Sequence, residues 1–357
     1  MNVATSAAVL APASASSAAF PMGRWWVAGF ASELADKPLA RTLLGRPMVL
    51  FRKPDGTVAA LADRCCHKDL PLSCGDIEAR GLRCGYHGLL YDTDGACIEI
   101  PGQDKIPSKA RVASYPLRDR DQLLWVWVGA TPDDRPADEP PRYPFHDDLR
   151  YQHGGAHYHY DAPYQLIHDN LMDLSHVGYV HKKTIGGNPL QHMTAKFNTT
   201  VDGEVVRVVR PMPGTFPPPT YTAVWPLQAQ VDRWQEAEFR VSHIVIWTGA
   251  MNPGEGSLDD AERPGLHIRG FHGVTPETAT SSHYFWTVAT NPHPDFAGAA
   301  GKLIQDVSAT FDEDKQIIEA QWMNQRRFPN RHNVDIHIDV GPNRARRIVD
   351  ELAAQSA

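Results

Sequence analysis

Two short cysteine–histidine arms constrain this chain more than any other feature. Arg64-Cys65-Cys66-His67 and Cys84-Gly85-Tyr86-His87 read as C-x-H, sixteen intervening residues, then C-x-x-H. Each arm sits on a turn after an apolar run, so two loops can clasp one object from opposite sides. The order of ligands narrows what that object is. A zinc finger groups its two cysteines together and its two histidines together. Here each arm supplies one of each. That is the ligand set of a [2Fe–2S] cluster with two thiolates on one iron and two imidazoles on the other. The expected cluster ligands are Cys65, His67, Cys84 and His87, with a structural zinc site as the competing reading. Gly75, Gly81, Gly85 and Gly88 are expected to let the backbones approach the sulfurs closely. Cys66, Cys74 and Cys97 read as ordinary buried cysteines, which commonly act as small apolar fillers. Five cysteines clustered among histidines suit a metal site in a reducing compartment rather than a disulfide framework, so the cytoplasm is expected.

A second constellation lies in Asp169-Asn170-Leu171-Met172-Asp173-Leu174-Ser175-His176-Val177-Gly178-Tyr179-Val180-His181. Leu166, Ile167, Leu171, Leu174 and Val177 recur at helical spacing, which predicts a helix from about Tyr164 to His181. His176 and His181 are candidate metal ligands. Residues five apart on an ideal helix are ~140° off one face, so both bind one ion only if the helix is distorted between them. Gly178 is the expected place for that break. Asp173, three residues before His176, is expected to accept its imidazole N–H and fix the ring. Two histidines and a carboxylate make the facial triad of a non-haem Fe(II) oxygenase. A later helix, expected from Gly301 to Gln325, offers Asp314 as the third ligand, with Asp312 as the alternative.

The rest of the chain divides around these sites. From Trp25 to Gly129 short strands alternate with turns, Asp55-Gly56 and Asp94-Gly95 being hairpin signals. A Pro- and Asp-rich stretch, 130–145, breaks the pattern. After it come strand-like runs (YQHGGAHYHYDA, EVVRVVRP, HIVIWTG, GLHIRGFHGV, SHYFWTVAT) that suit one antiparallel sheet, and a short final helix. The expected division is a disordered tail at 1–19, an all-β cluster domain at 20–138 and a catalytic domain at 139–357. The net charge of −7 and the absence of a basic block argue against a nucleic-acid partner. No apolar run reaches the ~18–20 residues of a membrane-spanning helix.

These motifs together resemble the Rieske non-haem iron ring-hydroxylating oxygenases, and within them the vanillate O-demethylase and toluenesulfonate methyl-monooxygenase type. The resemblance runs nearly the whole chain: WWVAG, RCCHKDLPLSCG, RCGYHGLLYDTDGACIEIPGQ, DNLMDLSHVGYVH, VDRWQ, FDEDKQIIEAQ and RARRIVDEL. Cys66 departs from it, standing where a proline is common. The resemblance implies an α+β chain, with a Rieske β-domain followed by a helix-grip (START-like) catalytic domain of antiparallel sheet and helices. It implies Cys65, His67, Cys84 and His87 on the cluster, and His176, His181 and Asp314 on iron. It also implies a head-to-tail homotrimer, in which Asp173 bridges His176 to a cluster ligand, His87, of the neighbouring subunit.

The function so implied is that of a terminal oxygenase that uses O₂ to hydroxylate or demethylate a small aromatic substrate. A demethylated methoxy or N-methyl group leaves as formaldehyde. With no G-x-G-x-x-G fingerprint or flavin motif in the chain, a separate NAD(P)H-dependent reductase of flavin or ferredoxin type must supply electrons. Rival readings are a ring cis-dihydroxylating dioxygenase, a Rieske electron carrier with a non-catalytic second domain, and a ligand-binding module. Trp234, Phe239, Trp247, Phe271, Phe285 and Trp286 are candidate pocket residues, though aromatics mainly fill cores. Arg207, Arg210, Arg240 and Arg269 are candidates to bind a carboxylate or sulfonate by a bidentate fork. The segment Met212–Pro219 is a candidate lid.

Overall fold

The computed structural model describes residues 20–131, 134–182, 185–296 and 298–356. The expected tail at 1–19 lies outside them. The N-terminal half is all-β, as expected. A four-stranded sheet is built on Leu39–Leu43, Arg46–Arg52, Val58–Ala62 and Ser114–Tyr115. A three-stranded sheet pairs Arg24–Phe30 and Leu117–Arg120 with Leu123–Val128. Asp55-Gly56 and Asp94-Gly95 both form turns, with Gly56 and Gly95 at positive φ. A third sheet (Asp76–Glu78, Gly81–Arg83, Leu90–Tyr91, Cys97–Glu99) carries both cysteine–histidine arms. Its chain leaves the four-stranded sheet after Ala62 and returns to it at Ser114. The exit and return are adjacent, since Ala62 N–H donates to Ala113 O at 2.8 Å.

The C-terminal half is one antiparallel sheet of seven strands. We number them β1 (Gln152–Tyr160), β2 (Asn198–Asp202), β3 (Val205–Thr215), β4 (Val231–Arg240), β5 (His243–Met251), β6 (Leu266–Pro276) and β7 (Ser282–Thr290). Their spatial order is β1-β7-β6-β5-β4-β3-β2. The helices are α1 (Tyr164–Met172), α2 (Val177–Val180), α3 (Pro189–Thr194), α4 (Pro219–Thr222), α5 (Ala299–Arg327) and α6 (Val340–Gln355). This is the expected α+β helix-grip arrangement, with α5 lying along β1 and α1 across the sheet.

Burial explains which strands were easy to read. Every residue of β7 is buried, because helices cover one face and the strand Arg24–Phe30 lies against the other. Two-sided burial selects a continuous apolar run. The domains meet there through Thr275 Oγ1, which donates to Val27 O at 2.7 Å, and through packing of Trp25, Trp125, Tyr143, Phe271 and Phe285. Strand β4 alternates instead: Val231, Arg233, Gln235, Ala237 and Phe239 face the helices, and Asp232, Glu236 and Glu238 face outward. The sequence reading had not identified it as a strand.

The expected single helix from Tyr164 to His181 is two pieces. The break falls at Asp173–His176, before the first histidine, and not at Gly178. Asp173 is extended (φ −112°, ψ 94°), and its Oδ1 accepts the Ser175 N–H at 2.8 Å. An aspartate that captures the amide two residues on competes with the helical ladder. Gly178 sits inside α2 for a different reason. A Cβ there would lie 2.5 Å from Pro189 Cα, so glycine permits α2 to pack on α3.

Candidate metal centres

The two arms fold as near-copies. Cys65 N–H donates to Leu70 O at 2.8 Å and Asp69 N–H to Cys65 O at 3.2 Å; Cys84 N–H donates to Leu89 O at 2.8 Å and Gly88 N–H to Cys84 O at 3.1 Å. The fourth residue after each cysteine is left-handed: Asp69 at φ 58° and Gly88 at φ 75°. Cys65 and Cys84 are buried and neighbour one another, and burial pushes the Cys84 thiol up. A bound metal would favour the thiolate and oppose that shift. His67 and His87 are exposed, with ring centroids 4.5 Å apart. The four side chains thus divide into a buried sulfur end and an exposed imidazole end. They do not converge on one point: among the described residues, the group that closes to within 4.8 Å is the other one, described below. Two separated pairs fit a two-iron cluster and do not fit a single zinc ion.

Cys66 Sγ lies 3.1 Å from Tyr91 Oη. The same hydroxyl lies 3.2 Å from Cys65 Sγ. Cys97 is buried as expected. Cys74 is exposed, which corrects its reading as a core filler. The expected glycine role shifts as well. A Cβ on Gly75 would stand 2.1 Å from Arg83 O, and one on Gly85 2.8 Å from Cys74 O, so these residues let the two arms approach each other.

The second site is assembled from both ends of the catalytic domain. His176 precedes the single turn α2 and His181 follows it, at φ −102°, ψ 39°, so neither lies within the helix. Their ring centroids are 5.3 Å apart. Asp314, from the middle of α5, places Oδ1 3.5 Å from His176 Nε2 and 3.2 Å from His181 Nε2. Separations near 3 Å suit neighbouring donors each ~2.1 Å from one ion. Asp314 is buried, whereas Asp312 is exposed. Burial pushes the Asp314 carboxyl up, but hydrogen bonds and charge from His176 and His181 outweigh it and hold the group far below the usual carboxylate range. Burial pushes His176 down, and Asp314 outweighs that too, so the net shift is upward.

The far side of each ring is also held. His176 Nδ1 lies 2.5 Å from the backbone carbonyl of Asp173, and His181 Nδ1 lies 2.8 Å from Glu313 Oε2. Protons on Nδ1 leave both Nε2 lone pairs free for a metal. Asp173 therefore orients His176 through its backbone, where the sequence reading had expected its carboxylate. Asn170 Nδ2 donates to Asp314 Oδ1 at 3.1 Å. Glu313 and Asn170 had not been singled out. Glu313 was detectable only as the neighbour of a ligand on a helix.

Beside this triad opens a mostly apolar cavity of about 90 Å³. Its floor is Arg233, Gln235, Ile246, Thr248, Ile268, Gly270 and Val288, and its roof includes Leu171, Val177, Val307 and Phe311. None of the six candidate aromatics lines it. Arg207 and Arg240 face outward in ion pairs with Glu238. Arg210 is buried, donating to His192 O. Arg269 lines a second cavity, about 310 Å³, on the other face of the sheet, and stacks on Trp247. The arginine that reaches the triad's cavity is Arg233.

Residues 160–355 match the vanillate O-demethylase oxygenase C-terminal domain, and residues 24–116 match the Rieske [2Fe-2S] domain. The chain is 34% identical over 337 residues to a toluene-4-sulfonate monooxygenase system iron-sulfur subunit of Comamonas testosteroni, covering 92% of this chain and 95% of that one. It is 34% identical over 346 residues to a vanillate O-demethylase oxygenase subunit of a Pseudomonas species, covering 94% and 95%. Dicamba monooxygenase bound to dicamba superposes with a TM-score of 0.85 at 30% identity, over 95% of this chain and 99% of that one. The same enzyme with non-haem iron and dicamba gives 0.80 at 30% identity.

Proposed function

Since the chain belongs to the Rieske non-haem iron oxygenases of the vanillate O-demethylase type, we propose that it hydroxylates or demethylates a small aromatic substrate at the His176–His181–Asp314 centre. It is the oxygenase component of such a system, a monooxygenase-type oxidoreductase. The observation that carries the site assignment is the convergence of three ligand atoms beside a mostly apolar cavity. Cys65, His67, Cys84 and His87 would hold the Rieske cluster, and His176, His181 and Asp314 the mononuclear iron. When bound, the cluster supplies single electrons and the iron supplies O₂ activation.

The chain's own residues have definite tasks. Asp173 O and Glu313 keep the two imidazoles in the ligating tautomer. The apolar roof of Leu171, Val177, Val307 and Phe311 excludes water around the substrate. For a methyl ether the overall change is ArOCH₃ + O₂ + 2e⁻ + 2H⁺ → ArOH + HCHO + H₂O. The electrons come from NAD(P)H through a separate reductase. A reducing compartment, the cytoplasm, suits five cysteines that form no disulfide; among the described residues no helix is long and apolar enough to cross a membrane. We read the assembly as a head-to-tail trimer, in which the exposed His67–His87 edge of one subunit faces the Asp173 surface of the next. We retain 20–138 and 139–357 as the domain division.

Metal analysis with EPR tests this. About three irons and about two labile sulfides per chain are expected, with the low average g of mixed His/Cys ligation. His176→Ala should lose about one iron and keep the cluster signal. A variant with full iron content would remove the centre from this site. Ring cis-dihydroxylation would appear instead as a diol product containing both oxygen atoms of O₂.

A further inference from the structure

Arg233 is 1% exposed, and its Nε and Nη1 have no hydrogen-bond partner. No described carboxylate forms an ion pair with it. Its close neighbour is Tyr221, whose ring lies 5.3 Å from the guanidinium carbon and whose hydroxyl supports the cation, which burial nonetheless pushes toward the neutral form. The one carboxylate lining the cavity, Asp314, is already held by His176, His181 and Asn170. A buried cation without a counter-charge is costly, and a protein retains one where a ligand completes it. Gln235, the next inward residue on β4, is also buried, and its Oε1 is unpartnered.

Strand register separates this pair from the metal ligands. Gln235 is level with Thr248 and Ile268, whereas Phe239 is level with Ile244 and His272. Phe311, three residues before Asp314 on α5 and so beside it, lies with its ring centroid 5.6 Å from that of His272 and 5.7 Å from that of Tyr284, which sets this end of the cavity at the second level. Arg233 stands three inward positions from that level, ~20 Å of strand at ~3.3 Å per residue. Arg233 and Asp314 both line the cavity. Gly270, between the levels, keeps the floor low: a Cβ there would come within 2.7 Å of His272 Nε2.

We propose that Arg233 is the anion seat of the substrate cavity, selecting aromatic monoacids whose carboxylate or sulfonate points away from the metal ligands. The planar guanidinium presents its unpaired donors as a fork to such an oxyanion. The group to be oxidised then lies at the opposite end of the ring. This rests on the oxygenase reading above and specifies its substrate.

The test is calorimetric titration of the iron- and cluster-loaded protein with 4-methoxybenzoate, 4-methylbenzenesulfonate and neutral 4-methoxybenzamide. The wild type should bind the anions at least ~10-fold tighter than the amide, the scale of a hydrogen-bonded charge. Arg233→Gln should cost ~10–100-fold in anion affinity and leave the amide nearly unchanged. Arg207→Gln, on the outer face, should change neither. Melting of the ligand-free protein separates a seat from a strut: Arg233→Gln should melt at or above the wild-type temperature. A lower melting temperature with loss of all three ligands makes Arg233 structural and overturns the proposal. Anion binding that survives Arg233→Gln, or wild type that binds no anion, also overturns it. Arg233-dependent binding without product, when reductase and NAD(P)H are supplied, would defeat the oxygenase reading and leave the seat standing.

Discussion

His181 is gripped from both sides by consecutive residues of one helix: Glu313 Oε2 lies 2.8 Å from its Nδ1 and Asp314 Oδ1 lies 3.2 Å from its Nε2. One carboxylate would share the metal with the ring, and the other fixes the ring from its far side. Glu313→Gln should therefore weaken iron binding ~10–100-fold, the usual effect of losing such a partner, and leave the cluster untouched. Chelator competition, read beside the cluster's visible absorbance, checks this. Unchanged iron affinity would mean that Glu313 is a solvated surface acid.

Tyr91 Oη sits between Cys65 Sγ and Cys66 Sγ, at 3.2 and 3.1 Å. A hydroxyl that donates to a ligand sulfur stabilises the reduced cluster. Tyr91→Phe should lower the cluster potential by on the order of 50–100 mV, the equivalent of one charge-assisted hydrogen bond in a one-electron couple. Redox titration followed by EPR measures it. No change would assign the proton to Cys66.

Gly178 has no room for a methyl group, because the obstruction is the backbone of Pro189. Gly178→Ala should force α2 from α3 and displace both histidines, costing ~1–3 kcal/mol as overpacking does. Iron occupancy should fall together with the midpoint of thermal unfolding. Full occupancy would show that the two helices separate without moving His176 and His181.

Burial holds His168, His243 and His272 each at about 3 and His283 at about 4. Unfolded, each takes up a proton near 6.5. Stability is thus complete above pH ~6.5 and is lost as pH falls toward 4, by about 1.4 kcal/mol per pH unit for each histidine. Thermal midpoints should be flat from pH 7 to 8 and drop steeply below 6.5. Both nitrogens of His168 lack partners. His168→Phe should flatten the slope by one proton, and an unaltered slope would show that His168 is not a source of it.

The parts legible in the sequence were those whose ligands sit close together in the chain. The two arms needed only residue order, whereas Asp314 and Asp312 stay alternatives in the sequence and differ only once burial is known. What escaped depended on contacts from distant segments. Arg233 lies in VDRWQEAEF, where Asp232, Glu236 and Glu238 alternate with Val231, Ala237 and Phe239. Read as a strand, that alternation would have marked Arg233 and Gln235 as polar residues on an inward face. Arg207 and Arg240 share the charge but have the wrong parity. The break at Asp173 carried a local signal, an aspartate two residues before a serine amide, yet the apolar spacing around it favoured a continuous helix. No local pattern told Gly178 as a packing contact from Gly178 as a hinge, because Pro189 is the residue that decides it.

The segment that carries both cysteine–histidine arms leaves the four-stranded sheet at Ala62 and rejoins it at Ala113 across a single 2.8 Å hydrogen bond. It is in effect a cartridge, its two ends already side by side in a frame that closes without it. Exchanging it for another arm pair leaves the frame's strand ladder intact and reaches none of the residues that line the substrate cavity. Reduction potential and substrate choice therefore rest on separate sets of residues, so that substitutions in one leave the other in place.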